Sequence, residues 1–319
     1  MSAITLPKSV GSHLGNPRLE IMRSAIKLTL TLWDVFRPRS IAERQTIERI
    51  NTVVIPLGPY RNLTTLTAAI FALHPECIVL NHAGYRLQNI RRLDFVRYPE
   101  PGKIRRFIDA SVALAQTGRR GDFGGNILKA HAFDSKNLSD AYKSRYGNKI
   151  LKENTHVLFW KESMLISNRI EKYDTNIGDI IEAGRQENVK VHFIMPIRHP
   201  IDCANSNLKG HYKHLTNECK FPLVLERVIE EILRFHIIKS QFPQNSFWFR
   251  EIDLNRLLLR NLCTDLGMTH DQIWEDAALD NMNIHERKRS SSDYQIYWNV
   301  LTKLCRDDAK LRDWLQEMN

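Results

Sequence analysis

Thr52-Val53-Val54-Ile55-Pro56-Leu57-Gly58-Pro59-Tyr60-Arg61-Asn62-Leu63-Thr64-Thr65-Leu66 is the stretch on which the fold of this chain turns. An apolar run ends in Gly58-Pro59. A cation, an amide and two hydroxyls follow, and a helical pattern begins with Leu66, Ala69, Ile70 and Leu73. The segment therefore reads as strand, turn and helix. A helix N-terminus behind a buried strand offers backbone N–H groups and the positive end of the helix dipole, which suits a phosphate. Arg61 adds charge, and Thr64 and Thr65 add hydroxyl donors in the first turn. The nucleoside-triphosphatase loop, Gly-x4-Gly-Lys-[Ser/Thr], occurs nowhere in the chain.

The segment resembles the 5′-phosphosulfate loop of the sulfotransferases that use 3′-phosphoadenosine-5′-phosphosulfate (PAPS). Their pattern is roughly Pro-x-[Lys/Arg]-[Ser/Cys]-Gly-Thr-Thr-x-Leu. Pro59, Arg61, Thr64, Thr65 and a following leucine match it. Two positions depart. Asn62 replaces Ser or Cys and keeps a polar side chain. Leu63 replaces Gly, where a glycine signals positive φ or close approach of a ligand, neither of which suits leucine.

A second segment, Val189 to Ser206, also runs from strand to helix. The family's 3′-phosphate motif is Arg-x-Pro-x5-Ser, and Arg198, Pro200 and Ser206 fit it without a gap. Pro200 suits the first turn of a helix, where a missing N–H costs little. Ser206 lies about two turns along, so a guanidinium and a hydroxyl can close on one phosphate. Two weaker matches follow. Phe247 to Leu254 resembles the family's late strand with an acidic end. The basic run Arg287-Lys288-Arg289 resembles the C-terminal loop that touches the 3′-phosphate. The resemblance spans residues 52 to 292.

It implies an α/β fold: a three-layer α/β/α arrangement with a central parallel sheet, a P-loop-like 5′-phosphosulfate-binding loop and extra N-terminal helices. It implies PAPS as co-substrate, no metal, and transfer of a sulfuryl group to a hydroxyl, with a carbohydrate or glycolipid as the acceptor class. PAPS would meet Arg61, Asn62, Leu63, Thr64, Thr65, Arg198, Ser206, Arg287 and Lys288. Arg61 would stabilise charge on the leaving phosphate. The acceptor hydroxyl needs a general base. Some relatives place it beyond a His-Pro pair, which here is His74-Pro75 and leads to His82. Glu162, after the strand Val157 to Trp160, is the second candidate. Lys161 beside it either contacts the sulfuryl oxygens or pairs with an acid. His199 sits beside the 3′-phosphate motif, and His131 and Asp134 stay open. Two alternatives stand: a catalytically inactive relative that binds an anionic ligand, kept in play by Leu63, and an atypical P-loop kinase.

Independently of the resemblance, the 319-residue chain carries a net charge of +10, which predicts an acidic partner. No aromatic–basic signature of an RNA-binding module occurs, so nucleic acid is not expected. The five cysteines are widely spaced with no C-x-x-C pair, which points away from zinc and disulfides and toward a reducing compartment. No stretch approaches the roughly 20 apolar residues of a bilayer span. A cytoplasmic location follows, with peripheral membrane attachment as a second option. Oligomeric state is not legible.

Residues 1–50 read as an arm and a helical extension, and 51–319 as the main domain. Leu19, Met22, Ile26, Leu30 and Trp33 share a helical stripe expected to pack on the core. Strands are expected at 52–57, 77–80, 156–160, 191–196 and 246–250. Helices are expected at 64–73, 103–116, 173–187, 201–207, 222–240, 252–265 and 293–316. This alternation predicts a parallel sheet covered on both faces, with ligands beyond the strand carboxyl ends. The weakly periodic region 117–150 reads as a loop covering the acceptor.

Overall fold

The computed structural model describes residues 29–118, 124–210, 216, 218, 220–282 and 288–318. Six strands form one sheet: β1 (Thr52–Pro56), β2 (Cys77–Asn81), β3 (Gly125–Asn126), β4 (Val157–Lys161), β5 (Lys190–Ile197) and β6 (Ser246–Arg250). Their order is β3-β2-β4-β1-β5-β6. All neighbours are parallel except β3, which runs antiparallel to β2.

The helices are α1 (29–36), α2 (Ile41–Arg49), α3 (Thr64–Leu73), α4 (Gly84–Leu87), α5 (Lys103–Gln116), α6 (Lys136–Tyr146) and α7 (Met164–Lys172). They continue with α8 (Ile177–Gln186), α9 (Pro200–Lys209), α10 (Phe221–Gln241), α11 (Arg256–Leu266), α12 (Gln272–Asn281), α13 (Ser291–Leu304) and α14 (Ala309–Gln316).

Successive residues of a strand point to opposite faces, and the burial divides accordingly. Val53, Ile55, Leu80, Trp160 and Phe193 enter one core with Phe107 of α5, Ile201 of α9 and Tyr297 of α13. Val54, Val79, Phe159 and Ile194 enter another with Phe71 of α3, Tyr142 of α6 and Trp274 of α12. Strands buried on both faces need near-continuous apolar runs, which is why these read so plainly in sequence. The result is the expected three-layer α/β/α fold with a mostly parallel sheet.

Several sequence expectations change. Region 117–150 is not simply a loop. Among its described residues it builds β3, two short 3-10 turns (Ile127–Lys129 and His131–Asp134) and α6. In α6 only Leu138 and Tyr142 are buried, so the apolar stripe is too thin to register as a period. The expected helix at 293–316 is two helices, because Asp308 accepts from Leu311 N–H (2.9 Å) and starts α14 afresh. The helix expected from 252 begins at Arg256, behind a 3-10 turn and the Asn255 cap. The N-terminal stripe is also rotated. Trp33 is 70% exposed and Leu30 47%, while Thr31 and Val35 face inward. The cause is polar. Buried Arg86 donates to Thr31 Oγ1 (3.0 Å), Asp34 Oδ2 (2.6 Å) and the Gly124 carbonyl (3.1 Å), which turns the Thr31 side of α1 toward the sheet edge. Leu19, Met22 and Ile26 lie outside the described residues.

Cys77, Cys203, Cys263 and Cys305 are buried thiols with no bridge. Among the described residues, no helix is long and apolar enough to cross a membrane.

Candidate active site

β1 hands over to α3 through a tight turn. Gly58 takes φ 99°, and its N–H donates to Ser167 Oγ (2.9 Å). A Cβ there would come within 2.5 Å of Met195 Cε, the far end of a flexible side chain, so the positive φ is the feature that favours glycine here. Leu63 then serves as the N-cap of α3 at φ 60°, ψ 0°. It adopts the left-handed conformation that favours glycine, at a cost of about 1–2 kcal/mol for a residue with a Cβ. No side chain caps α3, and its first turn holds no acidic residue. The N–H groups at its start therefore lack intrahelical partners and face an uncompensated positive dipole. Thr64 Oγ1 is buried with no hydrogen-bond partner among the described residues.

β5 delivers the second element at its own carboxyl end. His199 caps α9 by accepting from Ile201 N–H (3.2 Å), and Pro200 occupies the first turn. Arg198 and Ser206 face the same cleft as Arg61, Leu63, Thr64 and Thr65, a space of about 770 Å³. Asn62 does not line it. Its Oδ1 accepts the Arg198 backbone N–H (2.8 Å), so Asn62 is a buried strut between the two loops. His199 is fully buried against Tyr294 and Tyr297 and is spent on capping. Arg289 donates to Asp202 Oδ2 (3.0 Å) in the first turn of α9, which moors the basic run beside this element. Lys288 is exposed and is not among the cleft residues. Arg287 lies outside the described residues.

The third element lies beyond β2 and β4. His82, Lys161 and Glu162 all line the cleft. His82 Nδ1 stands 3.4 Å from Glu162 Oε1, and Lys161 Nζ stands 2.7 Å from His82 Nε2. Glu162 Oε2 accepts the Gly84 N–H (3.2 Å). Both oxygens of Glu162 are engaged and the residue is buried, whereas the His82 side chain is 37% exposed. The two candidate bases thus form one unit, with the imidazole outward and the carboxylate behind it. Burial pushes the Lys161 ammonium down to about 8; Glu162 opposes the shift and the charge of Arg61 adds to it.

Among solved structures, the chain is similar to one described as the sulfotransferase domain from the Synechococcus PCC 7002 olefin synthase. The identity is 14%, over 79% of this chain and 94% of that one, with a TM-score of 0.36. No protein-family model and no curated protein matches the sequence.

Backbone strain gathers at the same place. Six non-glycine residues in the described chain have positive φ, and four of them, Arg61, Leu63, His82 and Ala83, line the cleft. Such residues cost of order 1–3 kcal/mol each and cluster where function requires them. The cleft also takes in residues that motif reasoning passed over. Asn81, the last residue of β2, has a buried Oδ1 with no partner among the described residues. Its position at a strand carboxyl end, next to His82, was the signal available. Lys129 reaches the rim from the 3-10 turns after β3, together with His131, one of the residues left open in the sequence. Their placement depends on a strand only two residues long, which leaves no periodicity to read.

Proposed function

We propose that this chain is a PAPS-dependent sulfotransferase that acts on a hydroxyl acceptor, with a carbohydrate or glycolipid as the acceptor class. The observation that carries the proposal is convergence. Two anion-suited strand–helix junctions, 136 residues apart in sequence, meet at one cleft with an outward-facing imidazole.

The donor fits the residues present. The orphaned Thr64 hydroxyl and the uncapped N-terminus of α3 suit a phosphate, as does Arg61 beside them. Arg198 and Ser206 suit a second phosphate, which would be the 3′-phosphate. When bound, PAPS supplies the sulfuryl group: the acceptor oxygen bonds to sulfur as the bond to the bridging phosphate oxygen breaks and that oxygen keeps the electron pair. The chain's own residues do the rest. Arg61 holds positive charge where negative charge builds up, from a loop whose geometry is set in advance. His82 Nε2 takes the hydroxyl proton. Glu162 keeps the other ring proton on Nδ1 and steadies the imidazolium that forms. Leu63 takes the glycine-type conformation, so the departure from the family pattern leaves the loop formed.

Calorimetric titration with 3′-phosphoadenosine-5′-phosphate (PAP), the desulfated product, tests this. PAP should bind and stabilise the fold, by about 2.7 kcal/mol at a hundredfold excess over Kd. 5′-AMP, which lacks the group for Arg198 and Ser206, should bind more weakly. Equal affinity for the two would overturn the role given to those residues, and no binding would overturn the proposal.

A further inference from the structure

The contact between Lys161 and His82 has a direction. An ammonium has no lone pair, so Lys161 Nζ donates and His82 Nε2 accepts across the 2.7 Å separation. The ring's single proton then sits on Nδ1, facing Glu162 Oε1. The nitrogen that a general base needs is therefore already in use.

The pair has little slack. Asn81 and Lys161 are paired residues of adjacent parallel strands. The His82 N–H donates to the Lys161 carbonyl (3.1 Å), and Trp160 Nε1 donates to the His82 carbonyl (2.9 Å). Behind the ring, Glu162 Oε2 accepts the Gly84 N–H (3.2 Å) and packs so closely that a Cβ on Gly84 would come within 2.8 Å of it. The backbone and the carboxylate are fixed. Among the described residues the Lys161 ammonium makes one hydrogen bond, the one to His82 Nε2.

We propose that Lys161 is a positioning residue that masks His82 in the ligand-free protein, and that an anionic group seated in the cleft draws its ammonium away and leaves Nε2 open to accept a proton. The identity of that group as the sulfuryl of PAPS rests on the function proposed above. Two charged groups, Glu162 and Arg61, and the neutral imidazole of His82 face the ammonium and decide the exchange. Burial and Arg61 both disfavour the charged lysine, and Glu162 only partly offsets them. An anion offers the ammonium an ion pair as well as a hydrogen bond, whereas the neutral ring nitrogen offers the hydrogen bond alone. An anion between Arg61 and Lys161 also removes the repulsion between the two cations. The proton acceptor thus becomes available only when the donor is in place.

Two measurements on the full chain test this. Diethylpyrocarbonate reacts with an available imidazole nitrogen, and peptide mass spectrometry reads each histidine separately. Lys161→Met should raise labelling of His82 by about tenfold or more, the factor that corresponds to losing a hydrogen bond from a charged donor. Labelling of exposed His131 should stay the same. Lys161→Gln serves as the second variant if Lys161→Met melts too low to handle. In the second measurement, the ¹⁵N resonance of His82 Nε2 is followed as PAPS is added without acceptor. It should move from its ligand-free position toward that of Lys161→Met. Unchanged labelling in the variants overturns the masking whether or not PAPS binds. PAPS that binds without moving the Nε2 resonance overturns the release and leaves the sulfotransferase proposal standing. Failure of PAPS to bind overturns that proposal, while the labelling result still decides the masking.

Discussion

Asn62→Ala is the perturbation that best separates structural support from ligand contact. The Asn62 carboxamide is buried and accepts the Arg198 N–H at 2.8 Å, while its own Nδ2 has no partner among the described residues. Truncation leaves the Arg198 N–H buried without an acceptor, which costs about 1–3 kcal/mol. It also removes an unsatisfied donor, which offsets part of that. A net loss of about 1–2 kcal/mol follows, or a fall in melting temperature of about 1.5–3 °C for a chain of this size. The functional consequence is selective. Arg198 loses its anchor to the first loop, so affinity for PAP should fall while affinity for 5′-AMP holds. Thermal melting and calorimetry on the wild type and the variant give both numbers. If PAP and 5′-AMP weaken together, Asn62 touches the 5′-phosphate directly and the strut is the wrong description. If stability does not change, the hydrogen bond carries no weight.

Three further outcomes are expected. Arg61→Ala should lower turnover by about 10²-fold or more, the scale of one preorganised charge-stabilising donor, with a smaller effect on PAP affinity; normal turnover would remove Arg61 from the mechanism. His82→Ala should lower the rate by about 10²–10⁴-fold and leave PAP binding nearly unchanged; a comparable loss of PAP affinity would place His82 at the nucleotide instead. Buried His74 donates to the Thr269 carbonyl (3.1 Å) and accepts from Glu76 N–H (3.2 Å), and burial lowers its pKa to about 4 from the ordinary 6.5. Below pH 6.5 the unfolded chain binds a proton that the native ring refuses, so stability is full above that pH and declines toward pH 4 by about 3 kcal/mol. His192, also pushed to about 4 by burial, acts in the same sense. Chemical denaturation at pH 7 and pH 5 checks this, and a midpoint that does not move would show that His74 protonates without penalty.

The sheet and both junctions were legible in the sequence because their causes are local. A strand buried on both faces must be nearly continuously apolar, and Val53 to Ile55, Val157 to Trp160 and Phe193 to Met195 announce themselves that way. A turn at positive φ favours Gly58, and a helix start tolerates Pro200. The positions of Arg61, Thr64, Thr65, Arg198 and Ser206 relative to their helices follow from the same local rules. What the tertiary structure decided is what depends on neighbours far away in the chain. Whether Asn62 faces ligand or protein is settled by the Arg198 N–H, 136 residues later. Whether His82 and Glu162 are rivals or partners depends on β2 and β4 lying side by side, which pairing alone dictates. The occupied state of His82 Nε2 depends on Lys161, which reaches it across that strand pair. Leu63 shows the limit most clearly. The sequence says that leucine resists positive φ, and the strand and helix on either side of it hold it there regardless, because the packing of both elements outweighs the strain of one residue.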